Sequence, residues 1–343
     1  HNFDITDPSR ATYTGSGAVP GTPLSQYSLS EHNGYLRAAT TDGVPWSGEA
    51  TESMVTVLQE VDGALEQVGQ VGGLGKGEQI FAVRFMGDTA YVVTFRQIDP
   101  LYVVDLSEPT NPEVTGELKI PGFSTYLHPI GDDLLIGVGQ DATDDGRTTG
   151  AQISVFDVAD MANPARIAQL GLGQGSYSAV DWDPRAFLYW ASERLVFVPV
   201  SWWSWDETAN SDDSGNASVV IRIGEDGQLT EIGRIGHPTK QECESDYWLE
   251  EEWDEEPLEA PEEESASSDS TDAEAGLVEK TESAPGSASQ PFPDEDYCWS
   301  YQPEIRRSII IGDLVYTVSE GGVQANQLSD LSKVAWIPLG YED

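Results

Sequence analysis

The sequence predicts an all-β chain folded as a β-propeller of four-stranded antiparallel blades, five complete blades preceded by half a blade. Three observations carry that prediction. Four short β-rich segments recur five times in a fixed order. The step between units is as short as Gly87 to Gly131, 44 residues, and roughly 40–50 residues is the length of one four-stranded propeller blade. No segment sustains an apolar stripe of 3.6-residue period, so helices should be few. A β-sandwich is the weaker alternative, because sandwiches do not repeat a four-strand unit with matched segment order.

The second strand of each unit is the clearest: "NGYLRAATT" (Asn33–Thr41), "GDTAYVVTF" (Gly87–Phe95), "GDDLLIGVG" (Gly131–Gly139), "SERLVFVPV" (Ser192–Val200) and "GDLVYTVSE" (Gly312–Glu320). Each opens on a turn pair that suits a tight hairpin, followed by five to seven β-formers. The first strands are read as "SQYSLS", "IFAVRF", "STYLHPI", "SYSAVDW" and "RRSIII". The third are "MVTVLQ", "LYVVDL", "ISVFDV", "SVVIRI" and "GVQANQL", and the fourth "LEQVGQVG", "EVTGELKIPG", "RIAQLGLG", "LTEIGRIG" and "KVAWIPLG". Turn formers such as "SEPTNP" and "ADMANP" join third to fourth, where Asn-Pro favours an extended approach and a fixed turn. The half unit is "HNFDITDPSRATYTGSGAVPG"; it opens mid-strand, so a longer precursor is expected. No Trp-Asp pair closes a third strand, which sets the chain apart from WD40 repeats.

Three stretches match one group of proteins: Gly87–Val158, "GSYSAVDWDPRAFLYW" and "RRSIIIGDLVYTVSEGGVQANQL". In these the chain resembles the prokaryotic secreted proteins that carry a C-terminal β-propeller domain distantly related to WD-40 repeats. The resemblance extends over nearly the whole chain. It implies an extracytoplasmic propeller with further blades upstream, located outside the cell or in its envelope, and implies no particular reaction.

The formal charge is -43, from 60 acidic and 17 basic residues. Phosphate binding needs clustered Lys and Arg, so nucleic acid is excluded as a partner, and anionic membrane surfaces are disfavoured. There is no run of 18 apolar residues and hence no transmembrane segment. The acidic, Lys-poor surface is compatible with a salty habitat, where screening quiets self-repulsion.

We read residues 1–343 as a single propeller domain, interrupted by an acidic, largely disordered insertion between blades at residues 238–303. Between Gln241 and Tyr297 there are 21 Asp and Glu against one Lys, and few apolar side chains to offset ordering entropy. The chain's two cysteines, Cys243 and Cys298, flank this stretch. A disulfide there would staple the base of the insertion, worth on the order of 4 kcal/mol in the chain-entropy model; two free buried thiols are the alternative.

Three further insertions, Thr41–Ser53, Gln140–Gln152 and Ser201–Ala217, join second to third strands. In a propeller these and the inter-blade connections emerge on one face, which marks that face as the binding side. It carries the candidate groups. Asp141, Asp144 and Asp145 in "DATDDGRTTG" could offer oxygen ligands to Ca²⁺, although the spacing is not that of an EF-hand and Arg147 competes. "NSDDSGNAS" (Asn210–Ser218) is a weaker second site. Trp202, Trp203 and Trp205 in "SWWSW" could stack on sugar rings or anchor a partner, or could cap the blade beneath.

Asp181 and Asp183 alternate by two and would share one face of a strand, a pairing that could serve glycoside hydrolysis; turn positions before Pro184 are the blander reading. The four His (His1, His32, His128, His237) are scattered, and there is no nucleophile elbow or phosphate-binding loop. Together these features point to a binding or scaffolding module for a protein or glycan at the cell surface. A glycan hydrolase or lyase with carboxylates at the channel mouth is the alternative.

Overall fold

The computed structural model describes residues 1–44, 51–95, 99–143, 145–202, 214–244 and 297–340; for residues 99, 240–244 and 297–300 it describes the backbone alone. Residues 1–240 and 301–343 form one compact unit and residues 241–300 a second. The first unit is β throughout, apart from three single 3-10 turns among the described residues.

The chain starts with a two-stranded hairpin, β1 (Asn2–Asp4) and β2 (Thr12–Gly15). Blade 1 follows as β3 (Leu29–His32), β4 (Tyr35–Asp42), β5 (Glu52–Val61) and β6 (Ala64–Leu74). Blade 2 is β7 (Gln79–Met86), β8 (Thr89–Phe95), β9 (Asp99–Asp105) and β10 (Glu113–Ile120). Blade 3 is β11 (Phe123–Ile130), β12 (Leu134–Ala142), β13 (Thr148–Asp157) and β14 (Ala165–Gly171). Blade 4 has a divided inner strand, β15 (Tyr177–Ser178) and β16 (Leu188–Trp190), both paired with β17 (Leu195–Trp202), then β18 (Gly215–Ile223) and β19 (Leu229–Ile235). Strands β20 (Lys240–Glu244) and β21 (Tyr297–Tyr301) pair with each other. Blade 5 is β22 (Ile305–Ile311), β23 (Leu314–Ser319), β24 (Gly322–Gln327) and β25 (Lys333–Pro338). Every blade is an antiparallel meander in chain order.

The core is divided among the seams between blades, and the two-residue period of the second strands does the dividing. Ala90 and Val92 pack into the seam with blade 1, beside Ala39, Val55 and Val57. Their neighbours Tyr91 and Val93 face blade 3, beside Leu127, Leu135 and Phe156. Ile136 and Val138 meet Val196 and Val198 between blades 3 and 4. Leu195 and Phe197 then meet Val315 and Leu328 between blades 4 and 5. A strand buried on both faces needs a continuous apolar run, as in "AYVV" and "LVFVPV".

The turns between third and fourth strands lock the blades together. A Cβ at Gly69, on the outer strand of blade 1, would lie 2.2 Å from the Pro109 carbonyl oxygen and 2.9 Å from Pro112 Cδ. The same contact recurs one blade on, where a Cβ at Gly116 would lie 2.1 Å from the Met161 oxygen and 2.9 Å from Pro164 Cδ. Each Asn-Pro turn thus rests on a glycine of the preceding blade, which only a residue without a side chain permits. Gly116→Ala should destabilise the chain by about 1–3 kcal/mol, the usual scale for overpacking. Chemical denaturation that shows no shift in midpoint would refute the interlock.

Two inner strands differ from the sequence expectation. "SQYSLS" does not run as one strand, because Gln26–Ser28 form a 3-10 turn and pairing begins at Leu29. The Ser25 hydroxyl accepts the Tyr27 amide, and Ser28 Oγ accepts the Ser25 amide, a local alternative to sheet pairing. "SYSAVDW" pairs only at Tyr177–Ser178 and then enters a 3-10 turn at Ala179–Asp181. Ser178 caps that turn by accepting the Val180 amide while donating to the Pro199 carbonyl. A second turn, Pro184–Ala186, is capped by Asp183. Asp181 and Asp183 are therefore not neighbours on one strand face, because Pro184 cannot donate to a ladder and the two serine and aspartate caps bend the backbone away.

Candidate functional site in the central channel

The inner elements of blades 1 to 4 enclose a cavity of about 310 Å³. Blade 1 contributes Leu24, Ser25 and Tyr27 from the entry and body of its 3-10 turn, and blade 4 contributes Asp181 and Trp182 from the end of its first turn and Pro184 from the start of its second. Blades 2 and 3 contribute Gln79–Val83 and Thr125–Leu127 from the starts of β7 and β11. Both of those strands carry a bulge at the same place. Ile80 pairs with Thr94 and Ala82 with Val93, leaving Phe81 extra; Ser124 pairs with Gly139 and Tyr126 with Val138, leaving Thr125 extra. A bulge re-aims one side chain without ending the strand, and here it delivers Phe81 and Thr125 to the pocket wall.

Asp181 is the one carboxylate among the described residues of the lining. Thr125 Oγ1 donates to its Oδ1 at 2.7 Å and Gln140 Nε2 to its Oδ2 at 2.9 Å. Burial raises its pKa above the usual aspartate value, against the pull of those two donors and the Ser178 backbone. Gln140 is held in turn: its carbonyl accepts Gln152 Nε2 at 3.0 Å, Gln152 Oε1 accepts Gln169 Nε2, and Gln169 Nε2 also donates to Asp141 at 2.9 Å. The two ends of the Gln140–Gln152 insertion are thereby wired to the pocket carboxylate through a row of amides crossing blade 3.

Four aromatic side chains, Tyr27, Phe81, Tyr126 and Trp182, belong to the described wall. Tyr27 meets Tyr126 edge-on with centroids 5.7 Å apart, and Phe81 meets Phe123 at 5.0 Å. The Arg84 guanidinium, outside the lining, lies over Tyr27 at 4.2 Å and over Tyr126 at 5.3 Å, and its Nε donates to the Leu127 carbonyl at 2.8 Å. Trp182 stacks on Tyr177 at 5.4 Å yet stays 60% exposed, unusual for so large an apolar side chain.

The other sequence candidates lie elsewhere. Asp183 binds Arg307 of blade 5 at 2.6 Å and Arg185 at 3.0 Å. Burial opposes its ionisation, but those guanidinium bonds outweigh burial and hold its pKa below the ordinary value. Asp141 accepts its own neighbour's amide from Ala142 as well as Gln169, while Asp145 accepts Thr143 and pairs with Arg147 at 3.1 Å. Asp144 lies outside the described residues, and among those described no three carboxylate, His or Cys groups converge as metal ligands. Trp202 packs on the core between blades 3 and 4 with Arg234 5.4 Å from its ring, the blade-capping arrangement. Trp203, Trp205, Asn210–Asp213 and Leu249–Gly276 lie outside the described residues. So do the side chains of Cys243 and Cys298, whose backbones belong to the paired strands β20 and β21. No helix among the described residues is long and apolar enough to cross a membrane.

Seam-divided core and sequential four-stranded meanders together define a β-propeller. A family profile described as a beta propeller domain matches residues 1–257 and 265–331, and the chain belongs to that family. It is 46% identical over 184 residues to an uncharacterized protein of Methanocaldococcus jannaschii, covering 54% of this chain and 28% of that protein. It is 43% identical over 185 residues to an uncharacterized protein of Archaeoglobus fulgidus, covering 54% and 27%. The matched region thus spans little more than a quarter of either relative's length.

Proposed function

We propose that this chain is the ligand-binding part of an extracytoplasmic β-propeller, and that a cell-surface partner, protein or glycan, engages the channel pocket from the insertion side. The observation that carries this reading is the pocket itself. Four blades depart from regular strand geometry, by two bulges and two 3-10 turns, to converge Asp181, Thr125, Phe81, Tyr27 and Trp182 on one cavity. The bulge alone belongs to the blade design, since β22 repeats it with Arg306 extra, and it is the convergence on one cavity that marks the site. A mostly apolar cavity with a few convergent polar groups is the ordinary form of a binding site. The described lining holds one carboxylate rather than the pair that glycoside hydrolysis uses, and this favours binding over turnover.

The test is a screen of the purified chain against a glycan array and a displayed-peptide library. Hits that weaken at least tenfold on Trp182→Ala, with an unchanged melting temperature, support the reading. Hits indifferent to Trp182→Ala and Asp181→Asn would remove the pocket from it, and glycan cleavage lost in Asp181→Asn would replace it with the hydrolase or lyase reading. The extracytoplasmic assignment carries a separate expectation: a Cys243–Cys298 disulfide, seen as a gain of about 2 Da on reduction. An unchanged intact mass would sink it.

A further inference from the structure

Resting on that reading of the channel pocket, we infer that its ligand is a single neutral sugar ring, held by hydroxyl donation to Asp181 and by stacking of its apolar face on Trp182. Size comes first. A cavity of about 310 Å³ is at the small end for ligand sites, which run from roughly 300 to 1,000 Å³. One ring fits and a long chain does not, so a longer glycan would present only its end.

Charge then narrows the class. A permanent cation would find the Tyr27 and Tyr126 faces already engaged, since Arg84 lies over both, and only the Trp182 face left to it. A second positive charge at those rings meets repulsion from the guanidinium rather than a vacant quadrupole. An anion meets the Asp181 carboxylate in the wall and a chain of formal charge -43 around it. Arg84 stands outside the described lining, its Nε committed to the Leu127 carbonyl and its Nη2, although without a hydrogen-bond partner, buried away from solvent. A neutral ligand is the class that neither charge rejects.

Hydrogen-bond chemistry completes the choice. An ionised carboxylate has about four acceptor sites and accepts only. Thr125 and Gln140 donate to Asp181, one to each oxygen, so acceptor capacity remains for a ligand. That ligand must bring O–H or N–H donors, and being neutral and polar it is best matched by a polyol. Most of the rest of the wall, including Leu24, Tyr27, Phe81 and Pro184, suits the C–H faces of a ring, with Ser25 and Gln79 as its other polar members. Trp182, 60% exposed while stacked on Tyr177, provides a flat apolar surface of ring size at the same cavity. Asp181 and Trp182 are adjacent in sequence on the capped turn, so hydroxyl recognition and stacking are set by one rigid element. Thr125 and Gln140 act as positioning residues through Asp181.

The experiment is a titration of the whole chain with methyl glycosides of glucose, galactose and mannose, followed by calorimetry and proton NMR. Methylammonium and acetate serve as charged controls, and glucuronate as the charged counterpart of a sugar. The expected result is saturable binding of at least one neutral glycoside, weakened tenfold or more by Asp181→Asn and by Trp182→Ala, and much less by Trp182→Phe. Gln140→Ala should weaken binding by a smaller factor. Melting curves on every variant separate lost affinity from lost fold. Tighter binding of methylammonium or acetate would overturn the inference. So would silence of every neutral glycoside at tens of millimolar. If glycosides fail while an array or peptide hit still depends on Trp182, the ring assignment alone falls. If no hit depends on Trp182 either, the pocket reading falls with it.

Discussion

Lowering the pH from about 7 to 4.5 should cost this protein several kcal/mol of stability, before most of its carboxylates are protonated. His237 is the main cause. It is 2% exposed, with Nδ1 2.7 Å from Ser319 Oγ and Nε2 2.8 Å from Thr317 Oγ1, and its ring meets Trp336 edge-on at 4.8 Å. A neutral imidazole satisfies both hydroxyls, donating to one and accepting from the other, whereas an imidazolium can only donate. Burial first, then the nearby Lys333 charge, lowers its pKa from 6.5 to about 4. His128, half-buried between Tyr126 and Phe187, is likewise lowered to about 4 by burial and then by Arg84.

The sign follows from proton counts. Between pH 6.5 and 4 the unfolded chain binds protons at these sites and the folded chain does not, so stability falls as pH falls through that window. Below about 4 the folded state takes up the protons too and the loss levels off. A depression of that size is worth on the order of 3 kcal/mol at His237, and His128, less buried, contributes less. Asp181 and Glu304 work in the opposite direction, since burial raises both. A variant is therefore needed to isolate the imidazole. Urea unfolding at pH 7.5 and 4.5 should show a large drop in midpoint for the native chain. His237→Gln should start lower at pH 7.5 and drop much less. An equal drop in both would show that His237 is not the acid-sensitive group.

Asp181→Asn should leave the melting temperature unchanged or raise it by a few degrees at neutral pH, while removing ligand binding. An asparagine fills the same space, can still accept the Gln140 amide, and its own amide can reach Thr125 Oγ1. It also removes a carboxylate whose ionisation burial opposes. One kcal/mol corresponds to about 2–4 °C for a domain of this order of size. The contrast lies with Asp183, which burial opposes but Arg185 and Arg307 stabilise more. Asp183→Asn breaks the 2.6 Å pair that ties the blade 4 turn to β22 and should lower the melting temperature. A loss of stability in Asp181→Asn as large as that in Asp183→Asn would mean that Asp181 is structural.

Much of the fold was legible because its repeat obeys local rules. Asn33 and Gly34 adopt the left-handed backbone their hairpin needs, at φ 52° and 80°. The runs "AYVV" and "LVFVPV" are apolar at every position because they are buried on both faces. The inner strands were less legible. "SQYSLS" and "SYSAVDW" have strand-like composition, and only their serine caps and the nearby Pro184 hinted at turns. The bulges at Phe81 and Thr125 carry no distinctive residue. They follow from the pairing of β7 with β8 and of β11 with β12, which adjacent residues do not encode.

The candidate site was legible only in part, and for the same reason. Asp181 was noticed for a spacing that proved irrelevant, and Trp182 beside it was overlooked. By itself the sequence determined the repeated four-stranded unit and the strand order within each blade of this chain. Those properties depend on turn chemistry and on a two-residue period, both readable within some ten residues. Only the tertiary structure decided that Tyr27, Phe81, Thr125 and Asp181, more than 150 residues apart at their extremes, share one cavity. It also decided that Asp183 belongs to an ion pair instead. Packing of successive blades brings their inner edges together, and no local pattern can state which side chains then meet there.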